Sequence, residues 1–165
     1  MITCFEEWCN QAIAIFSGHL GVQSQAAMAI CFAVMIMMFF IPLSYGYAIS
    51  ATLGSAIGAG EVEKAKRILK ITLSMTIISS TLVILFVALN KESIVSLYIK
   101  ELDNKEVFDL SVSCLSSYCV IFIFDSIQVV LQSAIKGLGL QEKAQRIAVL
   151  SFFIIGLPCS YLAGI

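Results

Sequence analysis

Phe124-Asp125-Ser126-Ile127-Gln128-Val129-Val130-Leu131-Gln132 lies inside an apolar run, residues 110–135, in which Asp125 is the only acid. As a helix, a run of that length crosses the ~30 Å hydrocarbon layer of a bilayer. Asp125 then sits about 15 Å from its C-terminal end, near the midplane. A charge at that depth is costly, so it faces a cavity, a partner helix or a transport path. Asp125, Gln128 and Gln132 recur at i, i+3, i+7 and share one helix face, which Tyr118 and Phe122 extend backwards. The pattern is a polar stripe on an otherwise lipid-facing helix. It either serves function or pairs with a neighbouring helix and holds a bundle together.

The rest of the chain agrees with a membrane setting. Of its 165 residues, 59% are hydrophobic and 13% charged, against ~45–50% and ~25% in soluble domains. A soluble core of this size has no room for so much apolar surface. Long aliphatic and aromatic runs lack the two-residue alternation of a membrane barrel, so the expected fold is an all-α integral membrane protein. A net charge of -1 gives no sign of a nucleic-acid partner. Six cysteines, with Cys4/Cys9 and Cys114/Cys119 each five apart, and a single histidine, His19, do not make metal-ligand spacing. Buried free thiols are the better reading. The N-terminal residues lack a basic region, and Glu6, Glu7 and Trp8 interrupt the apolar stretch, which is unlike a signal peptide.

Five spans are expected, at residues 1–17, 26–51, 71–90, 110–135 and 147–165. The second is expected to be interrupted at Pro42 and Gly46, because proline removes a backbone donor and kinks a helix. Gly54-Ser55-Ala56-Ile57-Gly58-Ala59-Gly60 contains a GxxxG pattern suited to close helix packing in lipid, with a helix stop at Gly60. No Gly-Lys-Ser/Thr follows it, so it is not a phosphate loop. Residues 91–109 read as an amphiphilic connector at the interface. The last span carries Gly156-Leu157-Pro158, where Pro158 is a second kink candidate.

Lys and Arg placement sets orientation. Residues 60–70 hold four basic residues and 136–146 hold three, whereas 91–109 hold three against five acids. The two basic connectors are separated by two spans, so both are expected on the cytoplasmic side. Apolar sequence at both ends predicts a piece of a larger bundle.

The order of these features resembles the C-terminal half of the multidrug and toxic compound extrusion (MATE) family, eukaryote-type branch. Cys4-Phe5-Glu6-Glu7-Trp8 with Phe16-Ser17-Gly18-His19-Leu20-Gly21 is similar to the family's seventh helix. Ile41-Pro42-Leu43 and the 54–60 glycines look like the eighth helix. Phe124-Asp125 with Gly137-Leu138-Gly139-Leu140-Gln141 looks like the tenth, and Ile155-Gly156-Leu157-Pro158 the eleventh. The resemblance implies about five transmembrane helices from the C-terminal six-helix lobe of a twelve-helix transporter, with the N-terminal lobe supplied in cis or in trans. It implies no enzyme, but an antiporter that exports small organic, mainly cationic compounds against H+ or Na+, in the plasma membrane or a vacuolar or other endomembrane.

Carried over by position, Asp125 and Glu6 fall on the acids implied to handle the coupling ion or attract the cation. Gln128 and Gln132 would be cavity residues or interhelix contacts. Tyr118 and Phe122 would face a flat aromatic cation or simply pack. Four positions depart from the family pattern: Gln11 in place of a second acid, Glu7 in place of a tryptophan, Ala51-Thr52-Leu53-Gly54-Ser55 without the usual arginine, and Lys136 for an arginine. They bear on ion stoichiometry and substrate range. Two alternatives stay open: a lipid-linked oligosaccharide flippase of the same superfamily, or a non-transporting membrane fragment.

Overall fold

The computed structural model describes residues 21–99 and 104–142. They form three long helices, α1 (Val22–Gly58), α2 (Val62–Ser96) and α3 (Lys105–Gly137), with no strand among the described residues. At 37, 35 and 33 residues, each is about 50–55 Å long, more than the ~30 Å hydrocarbon layer. All three are apolar enough to cross a membrane. The expected spans 26–51, 71–90 and 110–135 lie inside α1, α2 and α3. Those at 1–17 and 147–165, with Glu6 and Pro158, lie outside the described residues.

Two expectations need correction. The interruption at Pro42 and Gly46 does not occur, because α1 runs unbroken through both. Pro42 is fully buried, and losing one backbone donor is less costly than exposing unpaired backbone at membrane depth. Within the connector at 91–109, residues 91–96 and 105–109 belong to the flanking helices. The second helix continues to Ser96 past a distorted Asn90 (φ -115°, ψ 15°), whose side-chain amide donates to the Phe86 carbonyl at 2.8 Å.

Local chemistry explains where the helices start and stop. Asn104 caps α3, its side-chain oxygen accepting from the Val107 N–H at 3.3 Å. Glu106 in the first turn and Lys136 in the last complement the helix dipole. Helices α1 and α3 end in the same way. Gly60 (φ 75°) and Gly139 (φ 72°) turn left-handed. The Gly60 and Glu61 N–H groups then donate back to the Ile57 and Ala56 carbonyls, and those of Gly139 and Leu140 to Lys136 and Ile135. This is the Schellman pattern, and it satisfies carbonyls that the helix leaves open.

The chain goes down, up and down, so α1 and α3 are parallel. Two apolar clusters hold the bundle. Cys31, Val34 and Met38 of α1 meet Val87 and Val95 of α2 and Leu115, Cys119 and Phe122 of α3 at one end. Ile49, Leu53, Ala56, Ala65, Val130 and Ala134 form the other. Between them lies a level of buried hydroxyls. Thr76 and Ser126 donate to the Thr72 and Phe122 carbonyls at 2.8 and 2.7 Å, which removes the cost of a bare donor in an apolar layer.

Candidate functional site

Helix α3 buries Leu115, Cys119, Phe122, Ser126, Val130 and Ala134 at three- and four-residue steps, against α1 and α2. Asp125 is adjacent to Ser126 in sequence, about 100° round the helix. Its side chain therefore lies on the shoulder of the packed face, and the residue is half-buried. Tyr118, also half-buried, is two turns back on the same shoulder. Its hydroxyl is within electrostatic reach of the Asp125 carboxylate. Gln132 is half-buried and Gln128 exposed, and Asp125, Gln128 and Gln132 are each engaged in an interaction. The stripe is continuous along α3.

Phe122 is not part of that stripe. It is fully buried in the apolar cluster, with its ring centroid 5.8 Å from that of Tyr118 at an interplanar angle of 53°. It packs beneath the tyrosine and fixes its ring from one side.

The glycines divide by role. A Cβ added at Gly54 would lie 3.1 Å from the Gly137 carbonyl oxygen, so this residue is at a helix contact. Gly58 has nothing within 4 Å among the described residues, and Gly60 belongs to the left-handed turn. The GxxxG at 54–58 is therefore not the register in which α1 meets α3. Contact runs through Gly46, Ser50 and Gly54 against Ser133 and Gly137, where added Cβ atoms at Gly46 and Gly137 would reach 2.6 Å from Ser133 Oγ and the Ser50 carbonyl oxygen. The signal was present as small residues four apart, with serine counting as small.

A polar contact joins α2 to α3 near the stripe. Lys91, half-buried on α2, donates from Nζ to Ser116 Oγ of α3 at 3.1 Å. Its position in a continuing helix, rather than in a connector, turns its side chain back toward the bundle. Among the described residues no group of three or more potential metal ligands occurs.

A bundle of apolar helices this long, one bearing a polar stripe, defines an integral multi-pass membrane protein. The MatE family model matches residues 1–162, and the chain belongs to that family. It is 22% identical over 158 residues to multidrug and toxin extrusion protein 1 of Homo sapiens, covering 96% of this chain and 27% of that protein. To multidrug and toxin extrusion protein 2 of Homo sapiens it is 25% identical over 167 residues, covering 98% and 26%. To multidrug resistance protein NorM of Aliivibrio fischeri it is 27% identical over 160 residues, covering 97% and 34%. The chain thus spans between a quarter and about a third of the length of these relatives. No solved structure gives a significant match.

Proposed function

We propose that the chain belongs to the C-terminal lobe of a multidrug efflux antiporter that exchanges small organic cations for H+ or Na+ by alternating access. The observation that carries this reading is Asp125, a carboxylate deep in a membrane-spanning helix, half-buried on a continuous stripe with Tyr118 and Gln132. The names of the relatives, multidrug and toxin extrusion and multidrug resistance, supply the substrate class.

An acid at this depth serves two cargoes in turn. As a carboxylate it holds a cation in a low-dielectric setting, where attraction is strong. Once protonated or occupied by Na+, it releases the organic cation, and the exchange is antiport. Tyr118 stands beside it with a hydroxyl to donate and a ring face for a flat cation. Gln128 and Gln132 continue the polar path along the helix. Glu6 is the second acid proposed for the site, and the N-terminal lobe, in cis or in trans, would complete the cavity.

The test is Asp125→Asn in the complete transporter, reconstituted in vesicles loaded with a fluorescent organic cation. Asn keeps the size and hydrogen bonding and removes the charge. Exchange driven by a proton or sodium gradient is expected to fall at least tenfold, with yield and melting temperature unchanged. Undiminished gradient-driven exchange would overturn the role of Asp125.

A further inference from the structure

The parallel packing of α1 and α3 brings two thiols together. Cys31 stands nine residues beyond Val22 and Cys114 nine beyond Lys105, so both lie about 14 Å along their helices and at matching depth. The Cys31 thiol donates to the Ser111 carbonyl at 3.4 Å, one turn before Cys114 on α3. Cys114 is also close enough for its side chain to act on the Cys31 thiol. Both cysteines are free, Cys31 buried and Cys114 exposed. Cys119 is also free but buried, and five residues on it lies about 140° round the helix from Cys114.

Cys114 also opens the polar stripe. It precedes Tyr118 by four residues and Asp125 by eleven, at the spacing that keeps all three on one shoulder of α3. A small polar molecule entering that face from this end meets the exposed thiol before Tyr118 or Asp125.

We propose that Cys31 and Cys114 form an oxidant-responsive dithiol that closes to an interhelical disulfide, stapling α1 to α3 at the end of the stripe remote from Gly137. The oxidant is a hydroperoxide. Cys114, as thiolate, attacks a peroxide oxygen and becomes a sulfenic acid, the O–O bond breaking with release of water from hydrogen peroxide. The Cys31 sulfur then attacks the sulfenic sulfur, the S–O bond breaks, and the hydroxyl leaves as a second water. Two thiols are oxidised, one peroxide is reduced, and both thiol protons end in water. Because the Cys31 thiol already packs against Ser111, one turn from Cys114 on a parallel helix, closure asks for a rotation of the two side chains with limited backbone movement.

The experiment uses the complete protein in membranes, treated with hydrogen peroxide, then alkylated and mapped by mass spectrometry. A linked peptide pair containing Cys31 and Cys114 is expected, lighter by two hydrogens and reversed by dithiothreitol, with Cys119 still alkylated. In the Cys114→Ser variant the link disappears and Cys31 remains alkylated. If both thiols of the wild-type protein stay fully alkylated under excess peroxide, or Cys114 is over-oxidised with Cys31 left free, the dithiol is overturned. Mapping the wild-type protein decides the matter even if the serine variant fails to fold, and the readout does not depend on transport.

Discussion

Among the glycines of the described residues, Gly137 is the one whose replacement the packing forbids most firmly. An added Cβ would stand 2.6 Å from the Ser50 carbonyl oxygen and 3.1 Å from its Cα, and backbone atoms cannot rotate aside. Gly137→Ala is expected to cost about 1–3 kcal/mol by overpacking, read as a clear fall in melting temperature in detergent. At Gly46 the nearest atom is Ser133 Oγ, also 2.6 Å away, but a side-chain hydroxyl can turn, so Gly46→Ala should cost less. Gly58→Ala meets nothing within 4 Å and should be neutral or stabilising by ~0.5 kcal/mol through helix propensity. A melting order other than Gly137→Ala below Gly46→Ala below Gly58→Ala would refute the contact register. The sequence could not show this register, since a small-residue ladder needs its partner face before one glycine outranks another. Asp125 was legible for the opposite reason, because one acid in a long apolar run is conspicuous whatever surrounds it. Phe122, which shares the face on helix periodicity alone, takes the packing alternative. It is only about 60° round the helix from Asp125, but that step carries it from the shoulder into the core.

At the scale of elements, three helices were legible as apolar runs, while the charged turns that extend them beyond the lipid were not. Hydropathy detects the part of a helix immersed in lipid; hydrogen bonding decides how far the helix goes on into water. Lys64, Lys66, Arg67 and Lys70 thus lie within α2 rather than in a loop, supported by Glu63–Lys66 at 2.8 Å, one turn apart. Glu61 and Lys64, 2.7 Å apart, bridge the turn to the helix. Asn90 through Ser96 follow the same logic at the far end, where a kink is tolerated because a side-chain amide reaches the Phe86 carbonyl. Gly60 was legible as a stop, and left-handed backbone at Gly60 and Gly139 is why α1 and α3 end there. Gly60→Ala and Gly139→Ala should each cost about 1–2 kcal/mol from the left-handed conformation alone. Helix content by circular dichroism should stay nearly constant while melting temperature falls. A large loss of helicity instead would mean that these turns nucleate the helices rather than end them.

For the whole molecule, the parallel course of α1 and α3 fixes which ends lie together. The turn at 59–61 follows α1 and that at 138–140 follows α3, while Leu97 closes α2 at the opposite end. The outer faces carry exposed Phe40, Tyr47, Ile78, Phe86, Leu89 and Phe124, which suits contact with lipid and with further helices of a larger bundle. Four basic residues at 60–70 and three at 136–146 predict the cytoplasmic side for the first of these ends. Single cysteines introduced as Glu61→Cys and Gln141→Cys should therefore react with a membrane-impermeant maleimide only in inside-out vesicles, and Leu97→Cys only in right-side-out ones. Two failures would carry different messages. Positions 61 and 141 labelling from opposite sides would break the parallel packing, and with it the Gly137 contact and the Cys31–Cys114 pair that both depend on it. Positions 61 and 141 labelling together from the outside would leave the bundle intact and reverse only the direction in which the Asp125 stripe is crossed.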